Sequence, residues 1–267
     1  MDPATTLDVA DRGMLAVAGR RGPLLSPMAA WWDGAGLWMT TAADATKVGV
    51  LRREPRCAFA VPAHADEPGA LARGRARVLG PDEPLRLALH APAISGAVTA
   101  LTLRNLPAVA DYAWQAARVP SRWRAHRRVV VRVAVDDVTP LLPAPHVPGV
   151  PPPLPTEIPR GVRRRLSGRR EVLVATEDAP PQVTTASWAG GRRLAFPRDV
   201  MLPERTRAVV AVDDDDGRPT GVTGVALHGT LARDGAFAPE RATWWDGFAL
   251  QTVEVAPPTE AGLTLPD

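Results

Sequence analysis

The 267-residue chain carries 32 basic and 29 acidic residues, a formal net charge of +3, and is 45% hydrophobic and 23% charged. That balance belongs to a globular protein and not to a disordered tail, and the length suits one large domain or two ordinary ones. A single cysteine, Cys57, excludes an intrachain disulfide framework and argues against a cysteine-based metal site; no apolar run approaches the roughly 20 residues of a membrane helix, and the acidic stretch Met1 to Asp11 does not read as a secretory signal. A cytoplasmic protein with no membrane partner is expected.

In chain order, Thr5 to Arg12 reads as a short helix and Met14 to Ala18 as a first strand. Arg20-Arg21-Gly22-Pro23 is a turn, Leu24 to Trp32 a second strand, and Asp33-Gly34 a hairpin turn of the type that favours left-handed backbone. Leu37 to Thr41 returns as a third strand, Asp44 to Arg53 is a short helix, Arg56 to Val61 a fourth strand, and Ala70 to Leu79 a fifth around Gly74. Between 82 and 118 apolar residues recur at helical spacing, with breaks near Ala91-Pro92 and Leu106-Pro107. The β-branched run Val129 to Val135 is the sixth strand. Six antiparallel strands with few helices suggest a closed or nearly closed barrel, which leaves no exposed sheet edge. The class is mainly β with minor α.

Residues 143–159 are proline-rich and include Pro151-Pro152-Pro153. Such a stretch cannot pair within a sheet and tends to an extended, semi-stiff spacer. Beyond it the order of strands, turns and glycines begins again. Glu171 to Thr176 matches Gly13 to Ala18, Pro180-Pro181 falls where Gly22-Pro23 fell, and Gln182 to Trp188 follows. Gly190-Gly191 replaces Asp33-Gly34, Arg207 to Val212 parallels Arg56 to Val61, and Gly224 to Ala232 around Gly229 parallels the Gly74 strand. Phe248 to Val255 is expected to take the place of the closing strand at Val129. The boundaries are a first domain over 1–142, a linker over 143–159 and a second, degenerate copy over 160–267.

The run Pro27-Met28-Ala29-Ala30-Trp31-Trp32-Asp33-Gly34, then Leu37-Trp38-Met39-Thr40-Thr41, Thr46-Lys47-Val48 and Leu51-Arg52-Arg53-Glu54-Pro55-Arg56 resembles the FMN-binding split barrels related to pyridoxamine 5′-phosphate oxidase. The resemblance implies a split β-barrel in the first half and, through the internal repeat, a second in tandem with it. It also implies that FMN, or the deazaflavin F420, is bound near Ser26, Met28, Ala29, Met39, Thr40, Thr41, Thr46 and Lys47. Lys47 is the one lysine against 31 arginines, which suggests a place where a compact ammonium is needed. A short helix opening at Thr46-Lys47 would offer free N–H groups and positive potential to a phosphate. The second copy has Pro197-Arg198-Asp199-Val200-Met201-Leu202-Pro203-Glu204 at the corresponding place, without a Thr-Lys pair, and is expected to have lost the phosphate site.

Members of the resembled family commonly dimerise around the flavin, so a tandem chain could form an intramolecular pseudo-dimer, or a homodimer. The implied activity is hydride transfer to or from a small organic substrate; no catalytic residue is assigned. The alternative is a non-catalytic flavin- or haem-binding module of the same fold. The five histidines (His64, His90, His126, His146, His228) lack metal-ligand spacing, and Asp213 to Asp216 with Gly217 lacks the alternating ligands of a calcium loop. The arginine run Arg160 to Arg170 could touch phosphates, but it is read as a solvated helix, and no nucleic-acid partner is expected.

Overall fold

The computed structural model describes residues 2–63, 69–114, 127–214, 222–247 and 249–255. His64, His126, Phe248 and the turn residues Asp215, Asp216 and Gly217 lie outside them. Helix α1 (Pro3–Val9) opens the chain, with Asp2 accepting a hydrogen bond from the Ala4 N–H at its N-terminus. It ends before Arg12, where the first strand begins. The strands β1 (Arg12–Gly19), β2 (Gly22–Trp32) and β3 (Gly36–Ala42) lead to helix α2 (Thr46–Arg53), then to β4 (Arg56–Val61) and β5 (Gly69–Leu79). Helices α3 (Pro84–Leu89), α4 (Ala91–Arg104) and α5 (Leu106–Trp114) follow, and β6 (Arg128–Leu141) completes the first half. The prolines at positions 92 and 107 lie in the first turns of α4 and α5, where a missing N–H costs nothing.

The six strands close into a barrel in the order β1-β2-β3-β6-β5-β4, with β4 returning to β1. The β2–β3 hairpin is set by Asp33, whose carboxylate accepts from the N–H groups of Ala35 and Gly36 and from the Trp38 indole. Partial burial raises the Asp33 pKa, but these hydrogen bonds and the nearby Arg132 outweigh it and hold the carboxyl below its ordinary value. The barrel interior is filled by Leu15, Val17, Leu37, Met39, Phe59, Val129 and Val131. Leu7 of α1 and Val48, Val50 and Leu51 of α2 pack into the same core.

The second half comprises α6 (Arg160–Leu166) and the strands β7 (Glu171–Thr176), β8 (Gln182–Gly190), β9 (Arg193–Ala195), β10 (Arg205–Asp214), β11 (Thr223–Ala232), β12 (Phe237–Asp246) and β13 (Ala249–Glu254). They form a seven-stranded sheet in the order β13-β12-β11-β10-β7-β8-β9. Taking β7 to β12 as the counterparts of β1 to β6, the order is that of the first barrel cut open between its third and sixth strands. The seam is nearly shut: Arg193 bridges Ala236, Leu194 donates to the Gly235 carbonyl and Phe237 to that of Arg192.

The strand beside β11 is therefore β12, and the segment expected to close the sheet forms the outer strand β13. Pro239 conceals β12 in the sequence, because proline removes a ladder donor. Here it lies opposite Gly229 at a register shift. A Cβ at Gly229 would stand 2.0 Å from the Ala238 carbonyl oxygen, so only glycine permits this approach.

The two halves pack on each other through the outer faces of their sheets. Met14, Ala16, Leu25, Ala58, Ala60 and Leu71 of the first meet Leu173, Ala175, Val183, Val209, Ala211 and Trp245 of the second in one buried cluster. The Arg12–Asp213 ion pair crosses this interface, as does the buried His228. Its Nε2 lies 3.2 Å from the Thr243 hydroxyl, and the Pro23 backbone carbonyl accepts from its ring. Residues 142–159 lie along the second half: the Thr185 hydroxyl donates to the Leu142 carbonyl, Ile158 is buried, and Leu154 packs on the second core.

Burial, followed by the charge of Arg241, lowers the His228 pKa from 6.5 to about 4. The unfolded chain then binds more protons between these values, and stability is lost as the pH falls from about 6.5 towards 4. A His228→Gln variant is expected to show a shallower loss than the wild type when urea midpoints at pH 4.5 and 7 are compared. Identical slopes would place the acid sensitivity elsewhere.

Candidate functional site

The site lies at the rim of the first barrel, where β2, β3, α2 and the start of β6 meet. Side chains alternate along β2, so Leu24, Met28, Ala30 and Trp32 face the barrel core while Leu25 faces the second half. Ser26 stands on the core side with Met28. Lys47, on the first turn of α2, reaches this pair: its Nζ lies 3.1 Å from the Ser26 hydroxyl oxygen and 3.0 Å from the Met28 sulfur. Among the described residues no carboxylate pairs with Lys47. Burial, and then the charge of Arg128, lower its pKa from 10.5 to about 8.

Arg128 was not anticipated as a site residue. It opens β6 directly across from Ala42 at the end of β3, and its guanidinium donates to the Thr40 hydroxyl and carbonyl oxygens, each at 2.8 Å. The sequence signal was slight, an arginine just before the Val129 run in a chain full of arginines. Only the β3–β6 register brings it to Thr40.

The expected residues divide accordingly. Lys47 touches both Ser26 and Met28, and Thr40 holds Arg128, whose charge acts on Lys47. Met39 is fully enclosed in the barrel core, Thr41 is buried, Ala29 is exposed on the opposite face of β2, and Thr46 is exposed at the start of α2. None of these four hydrogen-bonds the Lys47 ammonium. The N-cap of α2 is Ala45, which has no side-chain acceptor to offer; the Val48 N–H goes to the Ala45 carbonyl at 2.8 Å, so the N–H groups of Thr46 and Lys47 are those left for another partner.

This arrangement suits an anion. An ammonium held by a hydroxyl and a thioether, close to a guanidinium, is a cation whose lost hydration is poorly replaced. A phosphate would supply the missing negative charge, so the residues present fit the phosphate end of a flavin-type cofactor. In the second half, the segment corresponding to α2 forms no helix. Phe196, Pro197, Arg198, Val200, Met201 and Leu202 instead line a shallow cleft of about 360 Å³, and no lysine is present.

No protein-family model matches the chain, and no curated protein matches it in sequence. Among solved structures it is similar to an FAD-binding protein from Mesorhizobium loti, with 19% identity over 51% of this chain and 89% of that one and a TM-score of 0.39. It is also similar to an F420 reductase, with 18% identity over 52% and 97% and a TM-score of 0.35. A conserved hypothetical protein from Mycobacterium tuberculosis shares 24% identity over 54% and 88%, with a TM-score of 0.36. The class of the first half is set by its own topology, a closed six-stranded antiparallel barrel, the architecture implied by the resemblance to the split barrels related to pyridoxamine 5′-phosphate oxidase.

The depressed Lys47 pKa has a consequence for the unliganded protein. Between about pH 8 and 10.5 the unfolded chain holds a proton at Lys47 that the folded chain lacks, so stability rises with pH across that window. Below pH 8 the partly desolvated charge is destabilising. A Lys47→Met variant, similar in length and apolar, is expected to raise the urea midpoint at pH 7 and to lose the rise above pH 8. A lower midpoint would mean that Lys47 is a structural strut.

Proposed function

We propose that the first barrel binds a flavin-type cofactor, FMN or the deazaflavin F420, with its phosphate at Lys47 and Arg128, and that the protein is an oxidoreductase acting on a small organic molecule. The observation that carries this reading is the half-buried Lys47 ammonium, which reaches Ser26 and Met28 close to the charge of Arg128 and, among the described residues, pairs with no carboxylate. The sequence resemblance supplies the class of ligand. When bound, the isoalloxazine or deazaflavin ring supplies the capacity to accept or donate a hydride.

The chain's own residues bind and orient. Lys47 and Arg128 neutralise the phosphate, the Thr46 and Lys47 N–H groups at the start of α2 add donors, and the Thr40 hydroxyl fixes the guanidinium. The β2 strand, whose outer face lies against the second half, would border the ring. In this reading the second half takes the place of the partner subunit of a two-chain split barrel, and the chain works as an intramolecular pseudo-dimer with one competent site.

A hydrogen bond to a charged group contributes about 1.5–3 kcal/mol, or roughly one to two decades in affinity. Titration of the apoprotein with FMN and with F420, followed by absorbance, should therefore show binding of one cofactor that weakens at least tenfold in Lys47→Ala and in Arg128→Ala. Affinity should also fall as the pH rises above about 8, where Lys47 of the free protein loses its proton. Uptake of neither cofactor, or uptake indifferent to both substitutions, would sink the proposal.

A further inference from the structure

The second half contains a cleft unrelated to the Lys47 rim. It has a volume of about 510 Å³, within the roughly 300–1,000 Å³ typical of small-molecule sites. Its floor is the core-facing side of the second sheet, where Val172, Trp188, Val210, Val225 and Leu227 are buried in the second core and Val212 is half-buried. Its walls are the proline-rich segment from Val150 to Leu154 and helix α6 with the turn after it. The helix enters through Val162 and Leu166, which pack on the second core, much as Leu7 of α1 packs into the first barrel.

The cleft is apolar below and cationic at its mouth. Arg160, Arg163, Arg164 and Arg169 all line it. Two of these are engaged elsewhere: Arg163 donates to the Ile158 carbonyl at 2.9 Å, and Arg169 pairs with Asp214. Arg160 and Arg164 are exposed, and among the described residues neither pairs with a carboxylate. The first turn of α6 holds no acid. A solvated arginine helix explains the charge but not the apolar hollow beneath it, and a gap in the core explains the hollow but not the charge at its mouth. Together they describe a receptor for a molecule with an apolar body and an anionic head.

We infer that this cleft binds an amphiphilic carboxylate of acyl type, its chain against Val150, Pro151, Pro152 and Val212 above the buried core and its head at Arg160 and Arg164. Proline at positions 151–153 gives the outer wall little conformational freedom to lose, which limits the entropic cost of closing on a ligand.

Isothermal titration with decanoate tests this on the full-length protein. Saturable one-to-one binding is expected, weakened at least tenfold in the Arg160→Ala/Arg164→Ala double variant. Both side chains are exposed, so the variant should fold as the wild type does, and its urea midpoint checks this. Binding should be unaffected in Lys47→Met, which separates the cleft from the rim of the first barrel. Three controls address the rival ligands. Decanol binding as tightly as decanoate would remove the role of the arginines. Inorganic phosphate competing at equal concentration would reduce the site to a simple anion patch. Binding to anionic phospholipid vesicles but not to free decanoate would make α6 a membrane-surface element instead. Any of these results, or no decanoate binding, would overturn the inference.

Discussion

The packing of the two sheets' outer faces is the constraint on which the rest of the structure depends. Strands β1, β4, β7 and β10 are covered on both sides, by their own core on one and by the other half on the other. Their sequences are accordingly continuous apolar runs, as in Met14 to Val17 and Ala208 to Ala211, and not the alternation of a half-exposed strand. Alanine is frequent where the faces meet, with Ala16, Ala58, Ala60, Ala175, Ala211 and Ala226 in the shared cluster. They let two sheets approach closely, and larger residues such as Leu25 and Trp245 fill the space between them. This contact is also what brings the outer face of β2 against the second half.

The two halves spend one plan differently. In the first, α2 seals one end of the barrel with Val48, Val50 and Leu51 and carries Lys47 on its first turn. The residue that closes the core and the residue that holds the charge are therefore neighbours in one short helix, and neither can be moved alone. In the second, the corresponding segment has two prolines and no helix, and the surface there opens into a cleft. At the other end α6 takes the position that α1 takes in the first half, but brings arginines with it.

Much of this was legible in the residues. The order of strands and turns in the first half could be read because hairpins, glycines and β-branched runs act over a few residues, and Asp33 fixes its hairpin by local hydrogen bonds. The likeness between the halves was readable from the same signals. What escaped was non-local. Arg128 looked like any other arginine until the β3–β6 register set it beside Thr40. Strand β12 was hidden by Pro239, which is tolerated only because Gly229 gives way opposite it. Met39 and Thr41 were grouped with the cofactor residues by the family resemblance, yet both are buried. Chain proximity did not decide which way a side chain faces.

When two separate copies of a chain assemble, every substitution occurs twice, and a change that suits one side of the contact is imposed on the other. Here both sides of the contact lie on a single polypeptide, joined through residues 142–159. Each side can drift independently, so an open cleft can form at one end without the loss of a charged rim at the other.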